Sequence, residues 1–361
     1  MGLSSKTRPR FLSTARRSEG PSRRARGLSP VEFRYYNDKL AKKPKLSVDG
    51  IVPVSLHFSH FKGNKTPPRY KADTGTEIAI KVAEDSSFDR NRVPICTNNH
   101  YDTDGVLAVW AMCFPEDAVL TKEVAIKAAE TGDFNHYSTD EAFKVDAAIE
   151  GYRHAPSSPY AATIAGLDQA AADGYVYQKL SHMFPDLWQD IERHKSLWEK
   201  PLEEVNRHFD AFRSKQFAVK ELWDDWLTVV EGPFAPHPVA VDRFCQGRVF
   251  LLATPGPLKK GSTFEVDYAY WSWADTVQRE KVEWVDLGPL AETLNQKDKG
   301  DGKWLTHWQG QGDTAVLRYA KETGKGADST ISAADLTEAL RHHLKTGKKV
   351  APPAPAPEPA A

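Results

Sequence analysis

Cysteine is scarce: Cys96, Cys113 and Cys245 are the only three in 361 residues, and none forms a C-x-x-C pair. An odd, sparse set in a chain this long argues against a disulfide scaffold and fits a reducing cytoplasm. No apolar run is long enough to span a bilayer, which excludes a membrane-spanning helix. The turn at 310–314 (GQGDT) has no following G-K-[ST], so it is no phosphate loop. No internal repeat is visible. The basic N-terminal arm lacks an apolar h-region and is therefore not a secretory signal.

What is present is a globular composition, 40% hydrophobic with ten tryptophans, and a formal net charge of −1 that is unevenly spread. The first 28 residues hold eight Lys/Arg against Glu19 alone, so the arm is +7 and the remainder −8. An acidic body disfavours long nucleic acid as the main ligand. The arm, residues 1–30, reads as a disordered extension, with a transit-type or nucleic-acid-contacting segment as alternatives. Residues 347–361 read as a disordered Pro/Ala tail.

The most informative stretch is 93–113, VPICTNNHYDTDGVLAVWAMC. Residues 93–97 have the length and β-branched character of a buried strand. After Gly105, residues Val106, Val109, Trp110 and Cys113 recur at helical spacing with little polarity between them, so the helix is expected to be buried. The unit is strand, polar loop, buried helix, and in open α/β sheets such a loop is where ligands bind. His100, Asp102 and Asp104 alternate in it, so an imidazole and two carboxylates can converge on one point. Close carboxylates need a proton or cation between them, and a nitrogen–oxygen donor mix suits divalent manganese, magnesium or zinc, the first two foremost. Helix capping by one Asp is the plainer alternative. An EF-hand is excluded because position 12 of that loop would be Ala111, where a bidentate Glu is required.

The run NNHYDTDGVLAVWAM resembles the first motif of the DHH phosphoesterase superfamily. That resemblance implies metal ligation by His100, Asp102 and Asp104 and hydrolysis of phosphoester or pyrophosphate bonds. The sequence departs from the superfamily in lacking an Asp-His-His triplet and a C-terminal G-G-G-H segment. The same run also resembles an uncharacterised bacterial family, which would imply no activity.

Further candidates lie on either side. Residues 52–61 read as a strand with Val54, Leu56 and Phe58 on one side, and His57 or His60 near its end could approach the loop. Lys62, Lys65, Arg69 and Lys71 form a local basic cluster, before a helix that Thr74 or Thr76 would cap. Lys65 and Arg69 are candidates to hold a phosphate, with Asn98 and Asn99 as further substrate contacts; a solvated basic loop is the alternative. Helix periodicity after Pro115 is expected to stop at Thr131–Gly132, putting Asp133 and His136 on a turn. Asp133 is a candidate fourth ligand and His136 a candidate general acid or base, against an Asx turn closed by Asp133.

Residues 31–40 suggest a short amphipathic helix, and 185–231 a helical block. Trp198, Leu202, Val205, Phe209 and Phe212 form one stripe there; Leu222, Trp223, Trp226 and Leu227 form a second. Such stripes read as a helical cap over the sheet or a dimerising hairpin. Beyond a linker at 232–238 the pattern turns to strands, with a final helix capped by Ser332 and Asp335.

The expectation is therefore an α/β protein. It has a buried strand–loop–helix unit and helical cap within 31–231, and a smaller α+β domain at 239–346. It would act as a metal-dependent hydrolase of a small phosphorylated molecule. A non-catalytic metal- or ligand-binding protein, or a partner-binding protein, are the alternatives.

Overall fold

The computed structural model describes residues 31–180, 184–306 and 315–352. The chain is α/β and opens with β1 (Glu32–Phe33), β2 (Leu46–Val48) and β3 (Leu56–Phe58). Then come α1 (Gly75–Glu84), β4 (Ile95–Thr97) and α2 (Thr103–Cys113). A helical stretch follows: α3 (Pro115–Leu120), α4 (Lys122–Phe134), α5 (Asp140–His154), α6 (Ala161–Ile164), α7 (Gln169–Leu180), α8 (Phe184–Gln189) and α9 (Lys195–Arg213). Beyond it lie β5 (Ala218–Leu222), β6 (Leu227–Glu231), α10 (Pro238–Phe244), β7 (Val249–Pro255) and β8 (Ser262–Tyr268). The last elements are β9 (Trp284–Val285), α11 (Gly288–Lys297), β10 (Lys303–Leu305), β11 (Ala315–Ala320), α12 (Ala333–Thr346) and β12 (Lys349–Val350).

The first sheet runs β1-β4-β2-β3 with every pairing parallel. Its central strands β2 and β4 are buried at every position, as expected of a parallel sheet covered on both faces. Residues 103–112 of α2 are all buried, because this helix packs against α1 and α4 and has no solvent face. The second sheet runs β10-β11-β8-β7-β6-β5 and is antiparallel except for β6 beside β7. Phe264, Val266 and Tyr268 alternate onto one face of it, where Trp304, Leu317, Leu336 and Leu340 join them in a core with α11 and α12.

Phe61 and Phe134 share a small apolar cluster with Trp273 and Ala274, which joins the two halves. The Asp275 amide donates to the His60 carbonyl at 2.7 Å, and Lys71 pairs with Asp275 at 2.7 Å. Asp73 accepts from the amides of Val277 and Gln278.

Several local expectations give way to tertiary pairing. Residues 31–40 are not a helix: Glu32 and Phe33 extend to pair with Ile95 and Cys96, and only Asp38–Leu40 makes a 3-10 turn. The 52–61 strand shrinks to Leu56–Phe58; Val54 sits at φ 53 and is 74% exposed, and Leu56 is exposed too, so only Phe58 of the expected face buries. The second aromatic stripe is a β5–β6 hairpin, with Leu222 opposite Leu227, and Trp223 and Trp226 exposed at its turn. A spacing of 222, 223, 226 and 227 satisfies a tight hairpin as well as a helix. The six-stranded sheet thus begins ahead of Gly232, and the linker leads into α10. The first stripe is core, as its spacing predicts. At the C-terminus, Lys349 and Val350 pair with Val285 and Trp284, so ordered chain continues past residue 347. The arm at 1–30, the turn at 310–314 and the tail from 353 lie outside the described residues.

Candidate metal centre

Strands β4, β2 and β3 are neighbours and parallel, so the loops at their carboxyl ends lie side by side. That edge is where open α/β sheets place ligands. It brings together His100 and Asp102 after β4, Asp49 after β2 and His60 after β3. Asp49 adopts a left-handed φ of 57, which Asp tolerates better than most residues. Gly50 follows because a Cβ there would lie 2.1 Å from Asn99 Oδ1 and 2.4 Å from Asn98 Oδ1. Asn98 stitches the loops: its Oδ1 accepts from the Gly50 and Asn99 amides at 3.2 and 2.8 Å, and its Nδ2 donates to the Tyr177 hydroxyl at 3.1 Å. Tyr177 in turn donates to the His100 carbonyl at 3.0 Å.

The helices supply the remaining carboxylates. Asp102 caps α2, accepting from the Gly105 amide at 2.7 Å with Oδ1, while Oδ2 lies 3.1 Å from His100 Nε2. Capping and convergence on the site are therefore compatible in one side chain. Asp104 accepts from the Gly75 and Thr76 amides at the N-terminus of α1, both at 2.6 Å. Asp133 comes from the last turn of α4. That helix does not stop at Thr131–Gly132; it runs to Phe134 and ends on left-handed Asn135. Gly132 serves close packing instead, since a Cβ there would meet Thr103 Cβ at 3.0 Å.

Two ligand groups result. Asp49, His60, Asp104 and Asp133 have donor atoms all within 4.8 Å of one another, and so do Asp49, His100 and Asp102. Ligands about 2.1 Å from a shared ion lie at most ~4.2 Å apart, so both groups have about the dimensions of a cation shell. Asp49 belongs to both, with Oδ1 3.1 Å from His60 Nε2 and Oδ2 2.7 Å from His100 Nε2.

The hydrogen bonds of His60 decide what such a cluster requires. Its Nδ1 lies 2.6 Å from the Asp73 carbonyl, which can only accept, so Nδ1 carries the proton. Nε2 then faces Asp49 Oδ1 at 3.1 Å, Asp133 Oδ2 at 3.1 Å and Asp104 Oδ2 at 3.5 Å. One ring nitrogen cannot serve three carboxylates, and buried Asp133 Oδ2 has no hydrogen-bond donor of adequate geometry. A neutral imidazole whose lone pair points at carboxylates, with its other nitrogen donating to a carbonyl, is the usual arrangement of a metal-ligating His.

The electrostatics agree. Burial alone would lower the pKa of His60, but Asp133, Asp49 and Asp104 raise it well above the ordinary range. His100 is raised in the same way by Asp102 and Asp49 against its own burial. Burial raises Asp49, yet the two imidazoles outweigh it and hold that carboxyl low. Burial, with Asp133 and Asp49 beside it, pushes Asp104 well up. Asp133 is pushed up to about 7 by burial and by Asp102 and Asp49, against the pull of His60. Without added positive charge the cluster must take up protons.

The loop residues divide instead of converging on one point: His100 and Asp102 fall in one group and Asp104 in the other, where Asp133 joins it. His136 does not: the left-handed turn at Asn135 swings it to Asp242 of α10, 2.9 Å away. Arg69 pairs with Asp85 at 3.4 Å and lies over the Tyr70 ring, while Lys65 is exposed. Lys62 and Lys71 hold the 272–275 segment instead of forming an anion site. Asn98 is fully buried in its stitching role, so it has no face for a substrate; Asn99 is partly exposed, with Oδ1 3.3 Å from His100 Nδ1. Sequence reasoning missed Asp49. Its signal was a second short strand ending in Asp-Gly at 49–50, the same grammar as the 93–105 loop.

Among the described residues, no helix is long and apolar enough to cross a membrane. Comparison with functionally curated proteins finds no match to the sequence. Among solved structures, the pGpG-specific phosphodiesterase PggH from Vibrio cholerae is similar with a TM-score of 0.37 and 11% identity, covering 84% of this chain and 86% of that one. That likeness is remote. Residues 29–354 match a family described as a family of unknown function, DUF6687, and the chain belongs to that family.

Proposed function

We propose that the protein is a divalent-metal-dependent hydrolase of a small phosphorylated substrate, with two cation positions sharing Asp49. The observation that carries this reading is His60, whose protonated Nδ1 is committed to a carbonyl while Nε2 faces three carboxylates. Asp49, His60, Asp104 and Asp133 would hold one ion, and Asp49, His100 and Asp102 the other. The imidazole–carboxylate set suits manganese or magnesium. Ions there would neutralise charge on phosphoryl oxygens and acidify a water.

The chain's own contribution is rigidity. The α1 N-terminus fixes Asp104, the Gly105 amide fixes Asp102, and the Asp73 carbonyl fixes the His60 ring. Ligands locked in this way lose little freedom on binding. Access is one-sided. The Asp102 side chain is 26% exposed, whereas those of Asp49, His60 and Asp104 are fully buried, so a substrate approaches past Asp102.

The test is metal analysis of purified protein, followed by hydrolysis of bis(p-nitrophenyl) phosphate and of pyrophosphate with added manganese. About two ions per chain with turnover is the expected result. Bound metal without turnover would leave a metal-binding protein, and absence of both would reject the site.

A further inference from the structure

Beside Asp102 the fold leaves a cavity of about 550 Å³ between α4, α5 and the starts of α9 and α10. This lies within the ordinary size of a small-molecule site. Phe143, Leu197 and Val239 make part of its lining apolar. Its polar groups include Asn135 and His154, together with three carboxylates: Asp102, Asp146 and Glu150.

No lysine or arginine is among the described lining residues. The basic side chains on and near α5 are turned to other partners, Lys144 to Glu192 at 2.7 Å and Arg153 to Asp173 at 2.5 Å. Asp146 accepts from the Thr103 hydroxyl at 2.6 Å, one residue from ligand Asp102, so the acidic wall adjoins the ligand groups. Glu150 lies one helical turn further along α5, with an oxygen 3.4 Å from the same hydroxyl.

Consider what could occupy this space while a phosphoryl group sits at the ions. The second phosphoryl group of pyrophosphate would find no lysine or arginine to pair with, only His154 and His237, whose imidazoles burial holds toward the neutral form. It would meet carboxyl groups that repel it when ionised and supply no positive charge when protonated. An uncharged sugar, nucleoside or aryl group would instead find apolar surface and hydrogen-bonding rims. Given a phosphoester-hydrolysing metal pair at Asp49, we infer that this cavity receives the uncharged organic part of an ester with a single phosphoryl group. Glu150 and Asp146 are the residues that exclude pyrophosphate and polyphosphates.

The manganese-loaded full chain is assayed on bis(p-nitrophenyl) phosphate and on pyrophosphate. Wild type is expected to favour the diester in kcat/KM. As the pH is raised and the Glu150 carboxyl, which burial and Asp146 push well up, loses its proton, Glu150→Gln is expected to shift the pyrophosphate-to-diester ratio toward pyrophosphate by about tenfold, equivalent to ~1.4 kcal/mol. Calorimetric titration gives a second readout that needs no turnover. Imidodiphosphate should bind wild type more weakly than a nucleoside 5′-monophosphate, and Glu150→Gln should narrow that gap. Asp146→Asn is the second variant should Glu150→Gln fold poorly. Better turnover of pyrophosphate than diester by wild type, or ratios unmoved in both variants, overturns the inference while the hydrolase reading stands. Metal-loaded protein inert toward both substrates overturns the hydrolase reading, and the inference with it.

Discussion

Asp133→Asn separates a cation site from an ordinary buried hydrogen-bond network. In the metal-free protein the Asp133 carboxyl has a pKa of about 7 against an ordinary 3.8. Keeping it ionised at pH 8 costs about 4 kcal/mol, at ~1.4 kcal/mol per pH unit. Asparagine has nearly the same shape and no charge, so it removes that cost. The sign follows from proton binding. Between pH 3.8 and about 7 the native carboxyl holds a proton that the unfolded chain has released. Wild-type stability therefore falls as pH rises through that window and levels off above it.

In EDTA at pH 8, Asp133→Asn should raise the melting temperature by roughly 5–10 °C. The gain should drop to about half by pH 5.5 and vanish near pH 4. With saturating manganese the order should reverse, because the variant has lost a ligand and gains less from binding. Thermal unfolding with and without metal at these pH values is the assay. A variant less stable than wild type in EDTA, or stabilised by manganese as strongly as wild type, would refute the reasoning, since Asp133 would then be a structural acceptor.

Three further outcomes follow from the geometry. His60→Ala and His100→Ala should each lower the metal content by about one ion per chain, because each imidazole belongs to one ligand group only; elemental analysis after dialysis checks this, and equal loss of both ions in either variant would argue against two positions. Gly50→Ala should destabilise the metal-free protein by about 2–4 kcal/mol, because its Cβ would fall 2.4 Å from the Oδ1 of fully buried Asn98, which ties the two loops together; denaturant unfolding in EDTA reads it. His136→Ala should leave metal content unchanged and cost about 1 kcal/mol through the lost contact with Asp242; loss of metal would place that histidine nearer the centre than its observed partner allows.

The sequence by itself determined the unit on which the candidate site is built. Residues 93–113 combine an apolar strand, alternating ligand types and a helix without a polar face, and each of these is a local property. His100, Asp102 and Asp104 were legible for that reason, and the first stripe of α9 and the Ser332 cap of α12 were legible for the same one. Asp133 was legible as a residue, though not as the last turn of a helix, because Gly132 reads as a stop until the neighbouring Thr103 is seen against it.

Only the tertiary structure decided which distant residues join the cluster. Asp49 and His60 are 51 and 40 positions from His100 in the sequence. They reach it because a parallel sheet puts the carboxyl ends of β4, β2 and β3 on one edge whatever their separation along the chain. The same long-range pairing drew Glu32 and Phe33 into a strand and Trp223 and Trp226 onto a hairpin. It also removed His136 from the site, since one left-handed residue after α4 redirects every side chain beyond it. Local patterning sets what a segment can be; the hydrogen bonds of neighbouring strands and the close approach of helices set what it meets.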